Sequence, residues 1–161
     1  MIRYEDGDDA LLTVFFDVME NRFPHLQYLN FKLVYDFKKR IKAGKTILAN
    51  IELASPKIKY FSQDEKAAEG YDYILFIDKK AWELSNDKDK KRLISHELRH
   101  VFIDERDKPK LIGHEIEDFY QEMKLNEDDP EWARNLVRLI TDVYDQEKEI
   151  AKDKQIYKKG N

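Results

Sequence analysis

Residues 94–103 read Ile-Ser-His-Glu-Leu-Arg-His-Val-Phe-Ile, with His96 and His100 four positions apart and Glu97 directly after the first. On a helix, positions i and i+4 stack on one face. Two imidazoles so placed can grip one metal ion, and Zn2+ is the ion that H-E-x-x-H spacing suits. A catalytic zinc takes three protein ligands and keeps a fourth position for water, whose pKa it lowers from about 16 to about 7. Glu97, beside that water, is the candidate general base, able to take its proton and hand it to a leaving amine. The plain alternative is two ordinary helix histidines and a solvated glutamate, the usual fate of Glu in a strongly charged chain.

A third ligand has to come from elsewhere. The chain has four histidines, and His114 follows the first two after a 13-residue connection that contains Pro109 and Gly113. Such a connection can reverse the chain, so His114 is the first choice, with Glu115, Glu117 and Asp118 as carboxylate alternatives. Asp118 is one helical turn beyond His114 and could accept the second N–H of a ligand imidazole, fixing its tautomer. Arg99 points away from both histidines on the helical wheel and reads as half of a structural ion pair. Tyr120 and Tyr144 fall at helical spacing and read as core.

These residues need elements to position them. Leu93, Ile94, Leu98, Val101 and Phe102 make an apolar stripe, and no Gly or Pro interrupts residues 86–105. The spacing predicts a helix that carries the motif intact, ends before Asp104 and is capped by Asn86 or Asp87 with Asp89 in its first turn. Upstream, Leu11, Leu12, Val14, Phe15, Phe16, Val18 and Met19 predict a helix over 8–22, stopped by Pro24. Residues 30–37 and 46–54 alternate as strands and predict a hairpin about a turn at Ala43-Gly44-Lys45. Residues 71–78 are more continuously apolar and predict a central third strand. A short helical piece, 79–84, leads into the motif helix. Downstream come a charged loop over 104–112, a helix over about 114–125, a break at 126–130, and a long helix over 131–152 before a Lys-rich, frayed end. The layout is α+β: an N-terminal helix, a small three-stranded sheet, the motif helix and two C-terminal helices.

Composition narrows the function class. At 161 residues the chain is long enough for one domain, expected to span 1–161. Its net charge of −4 argues against indiscriminate binding to nucleic acid or anionic membrane. It contains no cysteine, which excludes disulfides and thiolate metal sites. The polar, acidic N-terminus is no signal peptide and no apolar run approaches a membrane span, so a cytoplasmic location is expected. Lys38, Lys39, Arg40, Lys42 and Lys45 form one basic run, readable as a nucleic-acid contact or, more simply, as a solvated turn.

His-Glu-Leu-Arg-His (96–100) with Gly-His-Glu-Ile-Glu-Asp-Phe (113–119) resembles the phage and archaeal metallopeptidases of the zincin group. There H-E-L-x-H is followed, after a short charged loop, by a His-x-x-x-Asp-Phe helix. The strand order before the motif and the segment around Trp82 also look like that family, and the likeness spans roughly residues 8–125. At greater distance the chain is similar to SprT-like peptidases. The resemblance implies a zincin-like fold, zinc held by His96, His100 and His114, a catalytic Glu97, a peptide or protein substrate and a phage-encoded source. Gly113 stands where the family's commoner pattern has Pro. Two other readings compete: an inactive zincin frame acting as a regulatory or interaction module, and a DNA-associated peptidase using the basic run.

Overall fold

The computed structural model describes residues 2–113 and 120–159. In chain order the elements are β1 (Tyr4–Asp6), α1 (Asp9–Arg22), a 3-10 turn (Pro24–Leu26), β2 (Phe31–Asp36), β3 (Arg40–Lys42), β4 (Lys45–Ile47), β5 (Ala49–Leu53) and α2 (Pro56–Phe61). Then follow β6 (Tyr73–Asp78), α3 (Lys79–Leu84), α4 (Asp87–Leu98), β7 (Val101–Ile103), β8 (Pro109–Leu111), α5 (Tyr120–Leu125) and α6 (Trp132–Lys159). The class is α+β, as the sequence predicts.

Asp8 starts α1: its carboxylate accepts the Leu11 N–H at 2.9 Å and also the Tyr35 hydroxyl at 2.9 Å, joining the helix cap to the sheet. The helix then buries Leu11, Phe15, Val18 and Met19, one face at 3.6-residue spacing. Beneath it lies a four-stranded sheet in the order β1-β2-β6-β5. β2 and β6 run parallel at its centre, with Leu33 opposite Leu75 and Tyr35 opposite Ile77, and β1 and β5 flank them antiparallel. The alternating residues Leu33, Tyr35, Ile51, Tyr73, Leu75 and Ile77 join α1, Ile94 and Leu98 in the main core. A second cluster, Leu48, Ala81, Leu93, Trp132, Leu136 and Ile140, holds α6 against α3 and α4.

Several expectations need correction. Residues 30–37 and 46–54 do not form a hairpin: β2 pairs with β1 and β6, and β5 pairs with β6. The turn at 43–44 closes a smaller hairpin, β3–β4, with Ala43 and Gly44 both at positive φ (51° and 76°), as a two-residue hairpin loop requires. The sheet gains a fourth strand at the N-terminus, where Phe37 N–H reaches Arg3 O at 2.9 Å. Residues 56–61, assigned no element from the sequence, form a short helix capped by Ser55. Of the segment 104–112, residues 104–108 form a turn, as expected, but Pro109–Leu111 form strand β8, which pairs with β7 in a hairpin. The last helix stays helical to Lys159 instead of fraying from 152. The central position of the third strand and the helix at 79–84 stand as predicted.

Candidate metal centre

α4 carries the motif and is fixed at both ends. At its start, Asn86 accepts the Asp89 N–H at 2.8 Å. Buried Arg92 then ties that first turn to the 126–129 break, donating to Asp89 at 2.9 Å, Asp128 at 2.7 Å and Asn126 at 3.3 Å. The helix ends at Leu98, short of the loop expected from Asp104, with no Gly or Pro to stop it. Arg99 N–H still reaches Ser95 O at 3.0 Å, but His100 N–H bonds Glu97 O at 3.1 Å, an i−3 bond that tightens the final turn. The two imidazoles nonetheless stay together, ring centroids 5.5 Å apart and 73° between planes.

The β7–β8 hairpin explains the early stop. Val101-Phe102-Ile103, two of them β-branched, pair with 109–111, and Asp104 builds the turn by accepting the Arg106 and Lys108 N–H groups at 2.8 and 2.9 Å. The ladder continues one pair beyond the strands. Ile112 N–H donates to His100 O at 2.8 Å, and His100 Nδ1 lies 2.6 Å from Ile112 O. A carbonyl oxygen only accepts, so Nδ1 carries the proton and the ring lone pair is on Nε2, the arrangement of a metal-binding imidazole. Burial, first, with help from His96 and Lys42, pulls the His100 pKa down against the Ile112 carbonyl, which favours the neutral, ligating form. The hairpin is itself held to the sheet: the buried Tyr73 hydroxyl donates to Lys110 O at 2.9 Å.

Glu97 is buried between α4 and β5. Burial pushes its pKa up to about 7, opposed by His96 and by a hydrogen bond from the Ile51 N–H. One ligand atom from each of His96, Glu97 and His100 lies within 4.8 Å of the others. Two imidazoles and a carboxylate are a donor set that suits a divalent ion such as zinc, so these residues fit a bound metal. His114 and Asp118, with the alternatives Glu115 and Glu117, lie outside the described residues.

Behind the motif is a polar group that the sequence did not reveal. Glu122 on α5 is wholly buried, and its Oε1 accepts from Ser95 Oγ at 2.7 Å, Arg99 Nε at 3.1 Å and Arg99 Nη2 at 3.0 Å. Arg99 is thus half of an ion pair, as predicted, and it also covers the Phe23 ring at 4.5 Å. The network ties α5 to the same helical turn that bears His96. Tyr144 does not approach the group through its recorded bond: it donates to buried Asp78 at 2.6 Å, and Asp78 in turn caps α3. In the basic run, Arg40 donates to Asp36 at 2.6 Å, Lys39 is 3.9 Å from Asp145, and Lys38, Lys42 and Lys45 remain on the surface. Among the described residues, no helix is long and apolar enough to cross a membrane.

An α+β frame that brings a His–Glu–His group to one helix end defines a candidate metalloprotein. The family model described as "Putative phage metallopeptidase" matches residues 9–144, and the chain belongs to that family. Metallopeptidase is therefore the class of enzyme to which the chain is assigned, with a metal ion and a peptide or protein substrate implied. Neither the curated proteins nor the solved structures offer a match.

Proposed function

We propose that this chain is a zinc-dependent peptidase, a single zincin-like domain over residues 1–161 that hydrolyses peptide bonds in the cytoplasm, in a phage-infected host. The observation that carries the reading is the convergence of His96, Glu97 and His100 within 4.8 Å at the end of α4, in a chain of a metallopeptidase family. His96, His100 and His114 would hold the Zn2+, with Asp118 behind a ligand imidazole. Bound there, the metal would acidify a water molecule and polarise the scissile carbonyl.

The remaining work falls to the chain. The Ile112 carbonyl keeps the His100 lone pair on Nε2 and stops the ring from turning. Glu97, with its pKa raised toward neutrality by burial, can both accept a proton from water and return it to the leaving amine near pH 7. A divalent cation beside it favours the ionised form, the one that accepts. The Ile51 N–H orients the carboxylate. Arg40 and Lys39 are already engaged by Asp36 and Asp145, which favours a peptide over a nucleic-acid substrate.

The test is Glu97→Gln, which keeps size and removes the base. The variant should retain metal while losing hydrolysis of a mixed peptide library by 100-fold or more, the order of magnitude general-base loss brings. A variant that cleaves like the parent would sink Glu97 as the base.

A further inference from the structure

The β3–β4 hairpin lies outside the main sheet and is joined to β5 by Leu48 alone. Its base is fixed. Arg40 donates to Asp36 at 2.6 Å, the Thr46 hydroxyl lies 2.9 Å from that of Thr141 on α6, and Leu48 is buried with Leu93 in the second core cluster. Leu93 is one helical turn before His96 and Glu97, and three residues beyond Leu48 the Ile51 N–H bonds Glu97. The hairpin therefore grows from the strand that borders the metal centre. Its tip, residues 41–45, is exposed throughout.

Two lysines close that tip. Lys42 and Lys45 are directly opposite in the register, so their Cβ atoms are ~5 Å apart on one face. Alternation puts Ile41 and Thr46 on the other face, the one that meets α6. Like charges directly opposite destabilise a strand pair. Among the described residues no carboxylate pairs with either lysine, whereas neighbouring Lys39 and Arg40 each have one. After burial and the His96 ring, it is the Lys42 charge that lowers the His100 pKa against the Ile112 carbonyl, so the lysine face looks toward the motif. A divalent cation held there would add its own repulsion to the pair. Paired cations with no local anion, beside a centre that itself attracts cations, mark a site whose anion comes from outside.

We propose that Lys42 and Lys45 form a carboxylate clamp at the rim of the metal centre, selecting substrates with an acidic group beside the scissile bond. The inference rests on the peptidase reading above and names the substrate class of that same site. A carboxylate between the two ammoniums neutralises the pair and takes charge-assisted hydrogen bonds from both, and the flexible lysine stems let the ammoniums follow it. The group recognised is the carboxylate, whether of an Asp or Glu side chain or of the substrate's own C-terminus.

Binding to the zinc-loaded full chain tests this without turnover. The probes are short peptides carrying a zinc-binding hydroxamate, in matched pairs: Glu against Gln beside the hydroxamate, and a free C-terminal carboxylate against its amide. Calorimetry on the parent should show the acidic member of one pair binding about 10-fold more tightly, the gain that charge-assisted hydrogen bonds bring. A Glu preference assigns the clamp to a side chain, and a preference for the free terminus assigns it to the chain end. Lys42→Ala with Lys45→Ala should erase the preference, while zinc content, circular dichroism and affinity for the neutral member stay at the parent's values. Lys42→Glu with Lys45→Glu should favour a probe with Lys in place of Glu. Equal affinities within each pair on a zinc-loaded parent overturn the clamp and leave the peptidase reading intact. So does a preference that survives in the alanine variant, or tight binding of a DNA oligonucleotide that depends on both lysines while the peptide pairs do not differ. A parent that holds no zinc overturns the reading beneath the clamp, and the clamp with it.

Discussion

Glu122→Ala is the sharpest probe of how the motif helix is held in place. The parent side chain has no exposure, and its Oε1 takes three donors from Ser95 and Arg99. Truncation strands the Ser95 hydroxyl, which is fully buried, at about 1–3 kcal/mol for an unsatisfied polar group. It also strands the Arg99 charge. Breaking a fully buried pair costs about 3–5 kcal/mol, but the Arg99 side chain is 21% exposed and can turn toward water, so the lower half of that range applies. Part of these terms overlap, and the sum is about 3–4 kcal/mol. At roughly 2–4 °C per kcal/mol for a chain of this size, melting should fall by about 6–16 °C. Denaturant unfolding of Glu122→Ala, Ser95→Ala and the double variant closes the cycle, with a coupling of about 1 kcal/mol or more expected. Glu122→Ala within 0.5 kcal/mol of the parent, or strictly additive single effects, would refute the network as a support for α4.

Three further outcomes follow from the same geometry. Tyr73→Phe removes the donor to Lys110 O, so it should cost about 1 kcal/mol by denaturant unfolding and weaken metal binding several-fold by loosening the hairpin that holds His100. Burial alone would raise the Asp36 pKa, but Arg3, the Lys38 N–H and Arg40 outweigh it and hold the carboxyl below its ordinary 3.8. A folded pKa below the unfolded one gives stability that is present above about pH 4 and lost as pH falls through the folded value, so the gap between the parent and Asp36→Asn should narrow in acid unfolding curves below pH ~4. Gly70 has φ +88°, and an added Cβ would lie 1.8 Å from Lys59 O, so Gly70→Ala should destabilise by about 2 kcal/mol or more, read as the shift in urea midpoint.

What the sequence disclosed follows a physical rule. The H-E-x-x-H group was legible because it is local: its five residues are consecutive, and the last turn of α4 with the two residues after it keeps both imidazoles together. α1, β6 and α3 were legible for the same reason, since each announces itself by spacing and caps. Strand partnership was not, because β2 finds β6 across 36 intervening residues while the turn at 43–44 closes a different hairpin. The stop at Leu98 carries no helix-breaking residue; it is imposed by the pairing of 101–103 with 109–111, and the β-branched Val101 and Ile103 with the Asp104 turn were the only hint. Glu122 was invisible among many charged residues, since only tertiary packing marks one glutamate as buried. Arg99 was read as half of an ion pair, but its partner Glu122, 23 residues on, could be named only from the packing of α5 on α4.

The central claim is that His96 and His100, with His114, hold one zinc ion. Metal analysis of purified, zinc-loaded and exhaustively dialysed protein tests it most directly, alongside His96→Ala, His100→Ala and His114→Ala and with circular dichroism to confirm folding. One zinc per parent chain, and loss of tight retention in each folded variant, is the predicted result. A parent that retains no divalent metal, or His96→Ala and His100→Ala variants that keep it as the parent does, would contradict the claim.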